Sequence, residues 1–203
     1  GVSVRWRSFD VRAIMVEQNN VPFRDKPVKT AYMWRDMERR AARHGLALSV
    51  PAPYPLPELS FANAVAILGM REGWGEDYIR ETYRRWFIAG ERPGEAPNLP
   101  ASLRAMGLDA DEVTGKARAP ETADALRAET EIAKSLGVFG SPSFVVEGEI
   151  FWGDDRLEDA LDWACGDRPV VIDMVAPFGD GFAISRDLVR SVFRGLAFTA
   201  ARR

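Results

Sequence analysis

The sequence predicts an α/β protein, a small sheet interrupted by a long all-helical insertion. Three observations carry that prediction. The chain opens on a period-two run, Val2-Ser3-Val4-Arg5-Trp6-Arg7-Ser8-Phe9, the alternation of a half-buried strand. Sequence of helical periodicity then fills most of residues 16–119. A hairpin pattern follows, Ser143 to Glu147 and Glu149 to Trp152 separated by Gly148, with one more helix behind it. The expected division is a sheet domain from 1–15 and 120–203, and a helical subdomain from 16–119.

Each element rests on a local signal. Gln18 to Pro22 reads as a loop. From Lys29 to His44, Tyr32, Met33, Met37 and Ala41 fall on one helical face, and Gly45 suits the residue after a helix end. Pro51, Pro53, Pro55 and Pro57 forbid regular structure in the arm that follows. Helices are expected from Leu59 to Gly69 and from Gly75 to Ile88, then a loop from Gly90 to Pro100. Short helices are expected over Ala101–Met106 and Ala110–Lys116. Pro120 fits the first turn of a further helix, which Gly137 ends. Arg156 to Ala164 is helical, with Leu157, Ala160, Leu161 and Ala164 on one stripe.

Composition narrows the function. The 203 residues carry a formal charge of −3, which argues against a broad basic nucleic-acid surface. No run reaches the roughly 18 apolar residues of a spanning helix. No signal-peptide pattern opens the chain, so a cytoplasmic protein is expected. The sequence holds one cysteine, Cys165, and one histidine, His44, too few for a CxxC redox pair or a usual zinc site. His44 suits the exposed end of its helix. Trp86 and Phe87 suit either a core or an aromatic pocket.

The chemistry-bearing motifs lie around the hairpin and near the first helix. A proline before a strand, as at Pro142, is an ordinary edge-strand starter when taken alone. Asp154 or Asp155 alone would cap a helix, and Lys29 and Asn20 alone would be a surface lysine and a turn asparagine. Together they resemble a family. Gly137-Val138-Phe139-Gly140-Ser141-Pro142-Ser143-Phe144 resembles the cis-proline loop of DsbA-like thioredoxin-fold proteins. Phe151-Trp152-Gly153-Asp154-Asp155-Arg156 resembles a segment of 2-hydroxychromene-2-carboxylate isomerases and kappa-class glutathione transferases. Asn20-Val21-Pro22 and Lys29-Thr30-Ala31-Tyr32-Met33 are similar to that family's Asn-x-Pro and Lys-x-x-Tyr segments.

The resemblance implies a thioredoxin-like (DsbA-like) sheet with the helical subdomain inserted, and glutathione as cofactor. Ser141, before Pro142, would present its N–H and C=O to the cysteinyl part of glutathione. Asp154 and Asp155 would receive its γ-glutamyl end, and Lys29 would meet a carboxylate. Asn20 and Trp152 would face the substrate, a small aromatic carboxylate, and the family implies a homodimer. Three readings follow: a glutathione-dependent isomerase, a kappa-like transferase or peroxidase, or a non-catalytic glutathione-binding domain.

One unit of the family pattern, a strand, a Phe-x-Ser-Pro-Tyr turn and a helix, is missing before Val2. The first residue is Gly1, as expected of a processed, truncated or rearranged chain. The tail offers a replacement. Pro169 to Val175 is strand-like, Pro177 to Ala183 is a turn, and Ser185 to Arg203 is helix-competent. In a circularly permuted chain, Val170–Met174 would lie parallel to Val2–Ser8; the alternative is a fragment loss with an unrelated tail. The permuted alignment puts Asp180 at the family's catalytic serine position, with Ser185 as a substitute.

Overall fold

The computed structural model describes residues 2–20, 23, 25–165 and, in its backbone, 170–175. Strand β1 (Val2–Arg7) is followed by helices α1 (Val11–Glu17), α2 (Pro27–Arg43), α3 (Leu59–Glu72), α4 (Gly75–Ala89), α5 (Asn98–Ala105), α6 (Ala110–Ala117) and α7 (Pro120–Ser135). Strands β2 (Ser143–Val146) and β3 (Glu149–Trp152) form the expected hairpin. A 3-10 turn (Asp154–Arg156) runs into α8 (Leu157–Ala164), and β4 (Val170–Val175) is the last of the described elements. Among the described residues no helix is long and apolar enough to cross a membrane.

The last strand lies inside the sheet. The order is β1-β4-β2-β3, with β4 parallel to β1 and antiparallel to β2. Val170 pairs with Val2 and Val175 with Arg7, so the expected parallel partner of the opening strand is in place. The tail's expected turn and helix, with Asp180 and Ser185, lie outside the described residues.

Three packed clusters position the site. One sheet face packs on α8 through Phe144, Val146, Leu157 and Leu161. The other packs on α1 and α7 through Phe9, Ile14, Val145 and Ala133. The helical block has its own core around Tyr78, Ile79, Trp86 and Leu103, and Trp6 of β1 touches both this core and the α8 side. Burial pushes the Tyr78 phenol above its ordinary range, against a smaller opposing pull from its hydrogen bond with Thr82. Ser8 Oγ ties the sheet side to the block, donating to the Asn63 carbonyl at 3.0 Å, and Arg7 Nη2 ties β1 to α7, donating to Glu129 at 2.7 Å.

Three boundaries differ from the sequence reading. Helix α1 precedes the expected loop, opened by Asp10, whose side chain accepts from the Ala13 N–H at 3.1 Å. Helix α3 runs past Gly69 to Glu72, and Gly73, at φ +87°, ends it instead. Helix α5 starts at Asn98, within the stretch read as loop. Buried Asn98 donates to the Thr82 and Glu91 carbonyls at 3.1 and 2.8 Å, while Pro100 sits in the first turn, where a missing N–H costs nothing. His44 caps α2 and is half-buried rather than exposed.

Candidate functional site

Helix α7 ends at Ser135, and the chain turns back through Gly137, at φ +83°, into the loop before β2. The Ser141–Pro142 bond is cis, as the motif implied. The loop is tied from both sides. Pro142 O accepts from the Gly153 N–H at 3.0 Å, and Ser143 Oγ donates to Gly140 O at 2.9 Å. The Ser141 N–H and C=O take no backbone partner among the described residues. Trp152 lies over this loop, 4.9 Å from the Phe139 ring centroid to centroid, and remains 52% exposed.

The turn after β3 carries the two candidate carboxylates, and they differ. Asp154 accepts from Arg40 Nε of α2 at 2.6 Å, a pair with both side chains about four-fifths shielded. Asp155 folds back over Gly153, whose φ of +110° and lack of a side chain leave the space, since a Cβ there would sit 2.5 Å from Oδ1. Asp155 also meets Arg156 at 3.2 Å, about half exposed. The Arg156 guanidinium is held above its ordinary pKa, first by its hydrogen bond to Asp159 and then by the charges of Asp155 and Asp159.

Helix α2 supplies the opposite wall. Lys29, Met33 and Asp36 line the cleft from successive turns, and Lys26 lines it from the residue before the helix. Asp36 is paired with Arg39 at 2.8 Å, the contact that chiefly raises the Arg39 pKa. Asn20 closes α1, its N–H donating to Met15 O at 2.8 Å, and reaches the same cleft.

These walls enclose a cleft of about 420 Å³ that brings together Asn20, Lys29, Ser141, Pro142, Trp152 and the two aspartates. A smaller chamber of about 160 Å³ shares Phe23, Met33 and Met37 with the cleft and is backed by Tyr54, Trp86 and Phe87. Trp86 and Phe87 are therefore core residues that also floor this chamber. The Trp86 indole N–H donates to Pro53 O at 2.9 Å. Sequence reasoning missed Lys26, Phe23 and Arg40. The spacing of 29, 33, 36 and 40 along one helical face was the available signal for Arg40.

The charges are unevenly matched. Each carboxylate lining the cleft, Asp36, Asp154 and Asp155, has an arginine partner. Lys26 and Lys29 have no ion-pair partner among the described residues. Among the described residues the uncompensated charge is positive, which favours an anion in the cleft.

A family model for the DsbA-like thioredoxin domain matches residues 1–162. The chain belongs to the DsbA-like thioredoxin family. Within it, the chain is similar to the 2-hydroxychromene-2-carboxylate isomerase of Sphingobium xenophagum, 28% identical over 160 residues, 78% of this chain and 80% of the relative. It is also similar to the enzyme of that name from Pseudomonas putida, 25% identical over 171 residues, 81% of this chain and 82% of the relative. A solved structure of 2-hydroxychromene-2-carboxylate isomerase shares the fold, with a TM-score of 0.70 at 22% identity, over 80% of this chain and 81% of that one. A model of the RTX toxin acyltransferase family matches residues 144–203, which fall largely outside the described residues. The cis-proline loop of the cleft faces a lysine-bearing helix, and Cys165 is exposed at the end of α8 and does not line the cleft.

Proposed function

We propose that this chain is a glutathione-dependent isomerase of the 2-hydroxychromene-2-carboxylate type. The observation that carries the reading is a cleft with surplus positive charge beside an open peptide edge, on the fold those isomerases share. The residues present suit glutathione at each end. Among the described residues the Ser141 N–H and C=O have no backbone partner, so they can pair with a peptide. Asp155 can accept from an ammonium group, and Lys26 and Lys29 can take carboxylates. Bound there, glutathione would supply a thiolate for reversible addition to an unsaturated carboxylate, which frees a locked bond to rotate.

The chain's own part is binding and orientation. The chamber behind Phe23 and Met33 is apolar and suits an aromatic ring. Trp152 covers the outer side of the cleft and Asn20 offers a hydrogen bond beside the lysines. The group facing the sulfur is expected from the tail, at Asp180 or Ser185. A homodimer in a reducing, cytoplasmic setting goes with this reading, and light scattering checks the dimer.

The deciding measurement is calorimetry with glutathione, followed by absorbance assays of 2-hydroxychromene-2-carboxylate isomerisation with and without it. Binding and glutathione-dependent turnover are expected. Lys29→Met should raise KM about tenfold, the worth of one charge-assisted contact. No glutathione binding ends the reading; conjugation of chlorodinitrobenzene without isomerisation replaces it with a transferase.

A further inference from the structure

Two adjacent carboxylates, Asp154 and Asp155, stand at the end of the cleft where an ammonium group would dock, and an ammonium needs only one of them. We infer that Arg40 is a positioning residue that assigns them different tasks. By pairing with Asp154 it anchors the Gly153–Arg156 turn and leaves Asp155 as the carboxylate that recognises the ligand's ammonium. The inference rests on the glutathione reading above and adds a specificity determinant to it.

The geometry separates the two residues in three ways. First, the Arg40–Asp154 contact is short, 2.6 Å, and shielded, with the side chains 19% and 20% exposed; Asp155 and Arg156 are 51% and 52% exposed at 3.2 Å. An exposed pair is loose and exchanges readily with solvent or ligand, whereas a shielded one holds its geometry and is costly to break. Second, the Arg40–Asp154 pair joins residues 114 apart in sequence, so it fixes the turn to helix α2. Asp155 pairs with its own chain neighbour, which fixes nothing beyond the turn. Third, the turn is held from the opposite side by the Gly153 N–H to Pro142 O bond at 3.0 Å. Between these two anchors the Asp155 side chain folds over Gly153, at φ +110°, in a space that a Cβ there would fill.

Losing Arg40 would act on Asp155 through the turn. Asp154, no longer paired, would seek water and turn outward, and the backbone carrying Asp155 would follow. The Arg156–Asp159 contact at 2.8 Å ties Arg156 to α8 and would not restrain residue 154.

The test compares two ligands by calorimetry: glutathione, and glutaryl-cysteinylglycine, which differs only in lacking the ammonium group. The parent protein should prefer glutathione by about tenfold, the worth of one charge-assisted ammonium–carboxylate contact. In Arg40→Met that preference should fall to within about threefold, with the analogue's own affinity little changed. Arg40→Lys, which keeps the charge, should recover part of the preference. Asp154→Asn, which breaks the anchor from the other side, should lose it as Arg40→Met does, and Asp155→Asn should abolish it. Thermal midpoints of all variants establish that each is folded. Retention of the full preference in both Arg40→Met and Asp154→Asn overturns the inference. Equal weakening of both ligands also overturns it, because Arg40 would then act through general charge or packing. A parent protein that binds neither ligand overturns the glutathione reading itself, and this inference with it.

Discussion

Gly140 shows how one atom can set the wall of the cleft. An added Cβ would sit 2.9 Å from Trp152 Cε2 and 3.0 Å from Cδ1, too close for either to stay. The neighbour is a side chain, half in solvent, so it can swing away. Gly140→Ala should therefore cost little stability, about 1 kcal/mol or less, because the strain is relieved by moving an exposed ring. The cleft would not be spared. The indole would leave the Phe139 ring it now meets at 4.9 Å, and the outer cover of the site would open. The expected outcome is a glutathione affinity several-fold weaker at nearly unchanged thermal midpoint, with an altered near-ultraviolet circular dichroism band from the moved indole. Unchanged affinity would remove Trp152 from the binding wall.

At the scale of elements, the α3–α4 hairpin presents the opposite case. A Cβ on Gly75 would lie 2.5 Å from Met70 N and 2.8 Å from Gly69 C, both backbone atoms that cannot move aside. The two helices approach through Gly69 and Gly75, and Trp74 fills the corner between them. Gly75→Ala should destabilise by about 2–3 kcal/mol, read as a lower urea midpoint at unchanged slope. It should also disturb ligand binding, since α4 carries Trp86 and Phe87 at the back of the chamber. The same glycines explain why α3 was legible only in part. A glycine late in a helical pattern reads as a stop, and Gly69 is a close-approach residue inside the helix, a distinction that depends on a neighbour the local pattern does not contain. Helix α2 was legible at its end because Gly45 acts locally, by its φ of +68°, whereas its start, read at Lys29, lies two residues earlier at Pro27. Helix α5 was misplaced for the converse reason. Its start depends on Asn98 bonding to carbonyls of α4 and of the loop after it.

For the whole molecule, β4 could be read in advance because the family pattern implied a central strand missing before Val2. Val170–Met174 was the run able to supply it. Ser141, Pro142, Lys29 and the aspartates were found because their motifs are short and ordered along the chain. Arg40 was not, because its partner lies 114 residues away and its place on the face of residues 29, 33 and 36 is its one local mark. The position of β4 has a consequence that can be tested on the backbone alone. Ile172 pairs with Val4 on one side and with Val146 on the other. A strand with neighbours on both sides has a partner for each of its N–H groups, so proline there must remove a ladder bond and place its ring against an adjacent strand. The unpaired carbonyl and the steric clash together should cost at least about 3 kcal/mol, a large share of the roughly 5–15 kcal/mol that holds a typical domain together. Ile172→Pro should therefore lose both the cooperative urea transition and ligand binding, because β4 stands between β1 and the β2–β3 hairpin that carries the Ser141–Pro142 loop and the Gly153 turn. If that variant unfolds with the parent's midpoint, β4 is not a central strand, and the hairpin must be held in place by α8 and α7 alone.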